Sequence, residues 1–450
     1  MANSILMSYK QQEFEAGLRA PTRFWAARHF FEAKPYIDET PVFKIIRRIP
    51  KGASLHSHAT ALASIAYVIK NITYRNNLYV SIDDENEMVN FKFFAPNDPA
   101  IPILWRPIAE ARKVDPNFDK KLKQQLSLND SPINFIQLNI HEKWQRFQLI
   151  FDRLKPLLTY RPVFEDYFYQ ALKELYEDNI KYLEVRTTLP ELYDLHGHVY
   201  NANETIQLFY DISEKFKNDY PEFLGVKLIY APKRFTTNAI LERHIHSIKQ
   251  MTDAWPHFLA GFDLVGQEDI GPPLKDFLPA LLQIRNMTNL FFHAGETLWN
   301  GQIIDENLVD AVLLNATRIG HAFAILKHPE VLDIVKQRNI ALEICPISNQ
   351  VLGLVNDLRN HPANFLIANG YPVVITADDP SLWNATGLSY DWYMTFMAMS
   401  SRHADLHLLK QLAINSINYS VMEDELKEKA LAQWRSDWQV FLQQIIDRKF

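Results

Sequence analysis

The chain of 450 residues is 47% apolar and 22% charged, the proportions of an ordinary folded protein, which exclude collagen, coiled coil and extended disorder. Its 47 basic and 53 acidic side chains leave a formal net charge of −6, too mild and of the wrong sign for sequence-independent capture of nucleic acid. The single cysteine, Cys345, can neither close an intramolecular disulfide nor build a thiolate zinc site.

The opening stretch, MANSILMSYKQQEFEAGLRA, has no basic region ahead of its short apolar run and no small-residue cleavage site. With one cysteine, that pattern sets a cytoplasmic, reducing location as the expectation and leaves non-classical secretion open. No apolar run approaches the roughly 18 residues of a membrane span, so no membrane partner is expected.

In chain order, residues 1–50 read as two or three helices that stop at Pro50, an arm for packing or for dimerisation into a homodimer. Short apolar runs then recur at 52–59, 181–189, 225–232, 259–266, 289–296, 318–323, 340–346 and 372–380, separated by amphipathic stretches such as HPEVLDIVKQRN. Strands that are apolar along their whole length are buried on both faces and therefore parallel. Eight of them alternating with helices predict an α/β fold, a closed (β/α)8 TIM barrel over residues 51–450. The gap between the first and second strands is far longer than one crossover needs. Residues 74–135, rich in Asn, Asp, Lys and Pro, read as an inserted subdomain, followed by helices near 136–156 and 163–178.

The polar residues of these runs fall at their C-terminal ends, the rim where barrels place their chemistry. His56 and His58, two apart on a strand, project from one face, so one metal could hold both. Alone, such a pair is more often packing than ligation. His293 and Asp378, each at the end of another strand, complete a nitrogen and oxygen donor set suited to zinc. Glu296 follows His293 by three positions and puts a carboxyl beside that set, Asp379 can serve as base beside a ligating Asp378, and His321 can orient a water. Together these residues predict metal-assisted hydrolysis. Lys181 and Lys227 sit at strand beginnings, which disfavours a carboxylated-lysine, two-metal site.

The segments KGASLHSHA, FDLVGQED, FFHAGET, TRIGHAFA, EICPISNQVLGLVNDLRNHP and ADDP resemble the adenosine deaminase family of amidohydrolases, and most of all its secreted growth-factor branch. The resemblance runs from about residue 28 onward, and PISNQVL and DLRNHP are its most specific parts. It implies one zinc held by His56, His58, His293 and Asp378, Glu296 as proton shuttle to purine N1, and His321 with Asp379 activating water. It also implies that the Gly266 N–H binds purine N3 and that Trp144 closes the nucleoside pocket. The expected reaction is hydrolysis of adenosine or 2′-deoxyadenosine to inosine and ammonia, with a small purine nucleoside as partner.

Two departures bear on that expectation. The family usually has Asp after the His pair, where it contacts the ribose 5′-hydroxyl, and this chain has Ala59 and Thr60. Losing a carboxylate there favours a 5′-substituted adenosine or adenine nucleotide as the alternative substrate. Ala322 replaces the usual Gly after the site histidine, adding a methyl expected to tighten the pocket or shift His321. A third reading, a non-catalytic growth-factor-like scaffold presenting the insert, is disfavoured because it has no physical use for a complete set of hydrolytic residues.

Overall fold

The computed structural model describes residues 1–83, 88–96, 98–130 and 134–450. Eight short strands carry the fold: β1 (Gly52–Ser54), β2 (Ile180–Thr187), β3 (Gly225–Tyr230), β4 (Leu259–Phe262), β5 (Asn289–Leu290, resuming at His293–Ala294), β6 (Arg318–His321), β7 (Ala341–Ile344) and β8 (Val373–Ile375). All neighbouring pairs are parallel, and β2, β3, β4, β6, β7 and β8 are buried nearly throughout. The ring closes at its rim, where Ser57 bridges Asp378 and the His58 and Asp378 amides donate to Asp378 O and His56 O, both at 3.2 Å. The expected (β/α)8 barrel is therefore the observed architecture.

All eight strands are shorter than the predicted runs, and two of the differences shape the site. β1 leaves the regular ladder at Leu55, so the backbone of His56 and His58 runs on through the isolated bridges Ser57–Asp378 and His58–Arg186. The run at 289–296 breaks in the middle, with the Phe291 amide donating to Phe262 O at 3.0 Å and Phe292 O accepting from Gly320 at 2.9 Å. Gly261 explains the close approach there, because a Cβ on it would stand 2.2 Å from Asn289 O.

The arm is three helices, α1 (Ala2–Arg19), α2 (Phe30–Ile37) and α3 (Pro41–Arg48), with two short 3-10 turns joining the first pair and a tight turn the second. Thr40 caps α3 through Phe43 N, and Pro41 occupies its first position, where a missing N–H removes no bond. Phe30, Ile37, Phe43 and Ile46 are buried in the same core as the barrel, so the arm packs on its own chain. Lys10 crosses to donate to Ser401 O and Ala404 O at 3.0 and 2.8 Å.

Within the insert, Leu78–Ile82 pairs antiparallel with Val89–Phe93 and Arg106–Pro107, and helices Ile108–Val114 and Phe118–Leu126 follow. Positions 84–87, 97 and 131–133 of the segment expected as an insertion lie outside the described residues. The chain returns to the barrel through α4 (Ile140–Leu158), which starts at an Asn139–Glu142 capping box, and α5 (Arg161–Glu177). Among the described residues no helix is long and apolar enough to cross a membrane.

Candidate active site

The C-terminal ends of the strands enclose a cavity of about 1040 Å³. Its wall includes His58, His293, Glu296, His321, Asp378 and Asp379; Gly266, Trp144 and Ala59 line it further out. His56 lies just beneath, fully buried.

His56, His58, His293 and Asp378 each offer a ligand atom, and these atoms all lie within 4.8 Å of one another. Asp378 Oδ1 is 3.3 Å from His56 Nε2 and 3.0 Å from His58 Nε2. Both His56 Nε2 and Asp378 Oδ1 are buried and otherwise unsatisfied, a costly state for polar atoms unless a cation takes their lone pairs.

The atoms behind the ligands explain their orientation. His56 Nδ1 donates to Glu343 Oε2 at 2.7 Å, and His293 Nδ1 donates to Asp263 Oδ2 at 2.7 Å. Each carboxylate thereby pins the proton on Nδ1 and leaves Nε2 free as a ligand. Arg186 joins both carboxylates, with Nε to Asp263 and Nη2 to Glu343 at 2.7 Å each, and Arg318 spans Glu343 and Glu184 at 2.6 Å. Despite complete burial, which alone would raise them, the guanidinium of Arg186 and the neighbouring imidazoles hold Asp263 and Glu343 below the usual carboxylate range. Unpaired, charges this deep would be severely destabilising.

Asp378 is also held low, against its burial, by the imidazoles around it, and Ser348 Oγ donates to its Oδ2 at 2.7 Å. Asp379 and Glu296 move the other way. Burial, reinforced by the charge of Asp378, pushes both carboxyls well above their normal range. The upward shift favours the protonated form of Glu296, the form that can give a proton. Its Oε1 is 3.5 Å from His321 Nδ1 and otherwise unpaired. The loop that carries it is anchored by Glu268, whose carboxylate accepts from Gly295 N at 3.0 Å and Glu296 N at 2.6 Å.

His321 and Asp378 both adopt left-handed backbone conformations, with φ of 60° and 59°. Such angles in non-glycine residues cost roughly 1–3 kcal/mol and gather where a side chain must be aimed. Gly266, at φ 112°, exposes its backbone to the cavity, and a Cβ there would only touch the Phe235 ring at 3.4 Å, so the backbone angle and not space is what favours glycine. Trp144 on α4 is buried edge-to-face against Phe147, with ring centres 5.3 Å apart.

A family model for adenosine deaminase matches residues 121–434, and one for the adenosine/AMP deaminase N-terminal region matches residues 1–46. The chain belongs to the adenosine deaminase family. It is 47% identical over 448 residues to an adenosine deaminase of Phlebotomus duboscqi, covering 98% of this chain and 86% of the relative. Over 450 residues it is 39% identical to adenosine deaminase 2 of Homo sapiens, covering 98% and 88%. A solved amidohydrolase from Burkhoderia ambifaria with bound Zn shares the fold at a TM-score of 0.63 and 16% identity, covering 90% of this chain and 95% of that one.

In this member of the family, every site residue expected from the sequence reaches the cavity or its floor. Ala59 opens a short 3-10 turn on the wall, with no carboxylate at its position. Ala322 differs from expectation. Its backbone is left-handed at φ 47°, and its methyl joins the apolar core rather than the cavity wall, so it does not narrow the pocket. Lys181 and Lys227 pair with Glu222 and Glu423, away from the cavity. Sequence reasoning missed Asp263, Glu343, Arg186 and Arg318. A buried-strand charge is the signal that marks them: each interrupts a β-branched or apolar run that has no water to face.

Proposed function

We propose that this protein hydrolyses adenosine and 2′-deoxyadenosine to the corresponding inosines and ammonia, with one zinc ion held by His56, His58, His293 and Asp378. The observation that carries the reading is the convergence of those four donors beside the buried Glu296 carboxyl, whose pKa burial and the charge of Asp378 push upward. Three imidazoles and one carboxylate suit zinc, and the Zn-containing structural neighbour agrees with that choice. When bound, such an ion supplies the Lewis acidity that makes water a competent nucleophile at neutral pH.

The chain's own residues do the rest. Glu296 donates its proton to a ring nitrogen of the purine, drawing electrons from the carbon that bears the amine. His321 and Asp379 orient the attacking water over that carbon. Gly266 N–H and Trp144 hold the base, and the aromatic wall excludes bulk water. Water adds, ammonia leaves, and the purine gains a carbonyl oxygen.

Ala59 favours a second substrate class by the same chemistry. With no carboxylate on that part of the wall and a cavity at the upper end of the volumes usual for small-molecule sites, an adenosine bearing a 5′-phosphate or 5′-thioether is accommodated.

Mass-spectrometric turnover of adenosine, 2′-deoxyadenosine, AMP and a 5′-thioether adenosine by zinc-loaded protein tests both readings. The Glu296→Gln variant should keep its zinc and lose on the order of 10²- to 10⁴-fold in kcat. Absence of turnover with all four would overturn the enzymatic reading in favour of a scaffold.

A further inference from the structure

PISNQVL and DLRNHP, the most specific motifs of the chain, have so far been assigned little chemistry. Ser348 reaches Asp378, and Gln350 ties the arm to the barrel by accepting from Phe30 N at 2.8 Å. Between them Asn349 is fully buried, with its amide spanning two histidines: its Nδ2 is 3.1 Å from His321 Nδ1, and its Oδ1 is 3.0 Å from His361 Nε2. At the far end, the backbone N–H of Ala363 points at His361 Nδ1 from 3.0 Å.

This chain of contacts has only one consistent set of protons. A backbone N–H can only donate, so His361 Nδ1 must be its acceptor and the proton of the neutral ring must lie on Nε2. His361 Nε2–H then donates to Asn349 Oδ1, which turns the amide so that Nδ2–H donates to His321 Nδ1. The His321 proton is thereby confined to Nε2. Reversing the Asn349 amide would set its N–H₂ against the His361 N–H, two donors with nothing to accept. Burial supports the neutral form of His361 by pushing its pKa down to about 3. His321 Nε2 itself is buried, has no hydrogen-bond partner and belongs to a ring that lines the cavity, with Asp378 Oδ2 3.9 Å away.

We propose that Asn349 and His361 are positioning residues that lock His321 as its Nε2–H tautomer, so that His321 meets the reacting oxygen as a hydrogen-bond donor. The Ala363 amide is the fixed end of the relay. His361 and Asn349 transmit its polarity across three hydrogen bonds to a side chain that touches the reaction, and neither needs to touch substrate. On this account the two motifs are joined because each supplies one link.

The decisive measurement is the protonation of the His321 ring nitrogens in zinc-loaded, ¹⁵N-histidine-labelled protein by long-range ¹H–¹⁵N correlation, with the His321 signals assigned by their loss in His321→Gln. Protonated Nε2 with bare Nδ1 is expected. A proton on Nδ1 in the wild type overturns the inference outright, whatever the variants do.

Asn349→Asp replaces the donor by a carboxylate that can only accept, so Nδ1 should become protonated. With that change kcat should fall on the order of 10²-fold or more while KM moves by less than about threefold, as expected when a catalytic imidazole is held in the wrong tautomer. His361→Gln retains one donor and one acceptor in line and should rescue both the tautomer and kcat, whereas His361→Phe should lose both. Equal damage from the two His361 variants, or an unchanged His321 tautomer in Asn349→Asp, would overturn the proposal. If Asn349→Asp does not fold, the wild-type spectrum and the His361 pair still decide. The kinetic arm rests on the deaminase reading, which fails separately if the wild type turns over none of the four adenosines; the spectroscopic arm does not depend on it.

Discussion

Asp263 Oδ2 stands 2.7 Å from His293 Nδ1 and at the same distance from Arg186 Nε, so one buried oxygen both orients an imidazole of the candidate metal site and neutralises a guanidinium. Asp263→Asn removes the charge and keeps the shape. Arg186 retains Glu343, which limits the loss of stability. Zinc affinity, measured by competition with a chromogenic chelator, should weaken by about 10- to 100-fold. Unchanged affinity would mean that His293 needs no partner to present its Nε2.

The wall position after the histidine pair offers a test of substrate choice. Ala59→Asp places a carboxylate where the chain has a methyl, and two like charges about 5 Å apart at an effective dielectric near 20 repel by roughly 3 kcal/mol per unit charge. The ratio of kcat/KM for AMP to that for adenosine should therefore drop by about tenfold or more, with zinc content unchanged. A ratio that does not move would place the 5′ end of the substrate elsewhere in the cavity.

Gly266 combines an unusual backbone angle with exposure to the cavity. Gly266→Ala strains that angle, displacing the N–H assigned to the purine. A lost neutral hydrogen bond corresponds to about a 2- to 10-fold change. Steady-state kinetics should show it as a rise in KM for adenosine, with kcat less affected. A fall in kcat alone would assign Gly266 to the chemical step instead.

His29 caps α2 by accepting from Phe31 N at 3.3 Å and is buried, a setting that, with the charge of Lys143 nearby, pushes its pKa down to about 3. Because the unfolded chain takes up this proton near pH 6.5 and the folded chain does so only near pH 3, the contribution of neutral His29 to folding stability is fully present above 6.5 and is lost as pH falls between those values. His29→Asn keeps a capping oxygen and removes the titration. Urea midpoints at pH 7 and pH 5 should therefore converge in the variant relative to the wild type. A pH dependence identical in both would show that His29 is already accessible to protons in the folded arm.

What the sequence determined by itself is the architecture and which polar groups gather at its rim. Buried parallel strands announce themselves as short apolar runs, and the polar residues that end them mark the rim, so His56, His58, His293, Glu296, His321, Asp378 and Asp379 are legible from local pattern alone. Only the tertiary structure decided how those groups are aimed. Glu343 meets His56 across 287 residues of chain and Arg186 meets Glu343 across 157, contacts created by closing a barrel and not by any periodicity along it. The left-handed turns at His321 and Asp378, the break in β5 and the inward packing of the Ala322 methyl belong to the same class. Each follows from fitting eight strands into a ring whose interior must pair every buried charge, and that requirement acts between segments that the linear sequence keeps far apart.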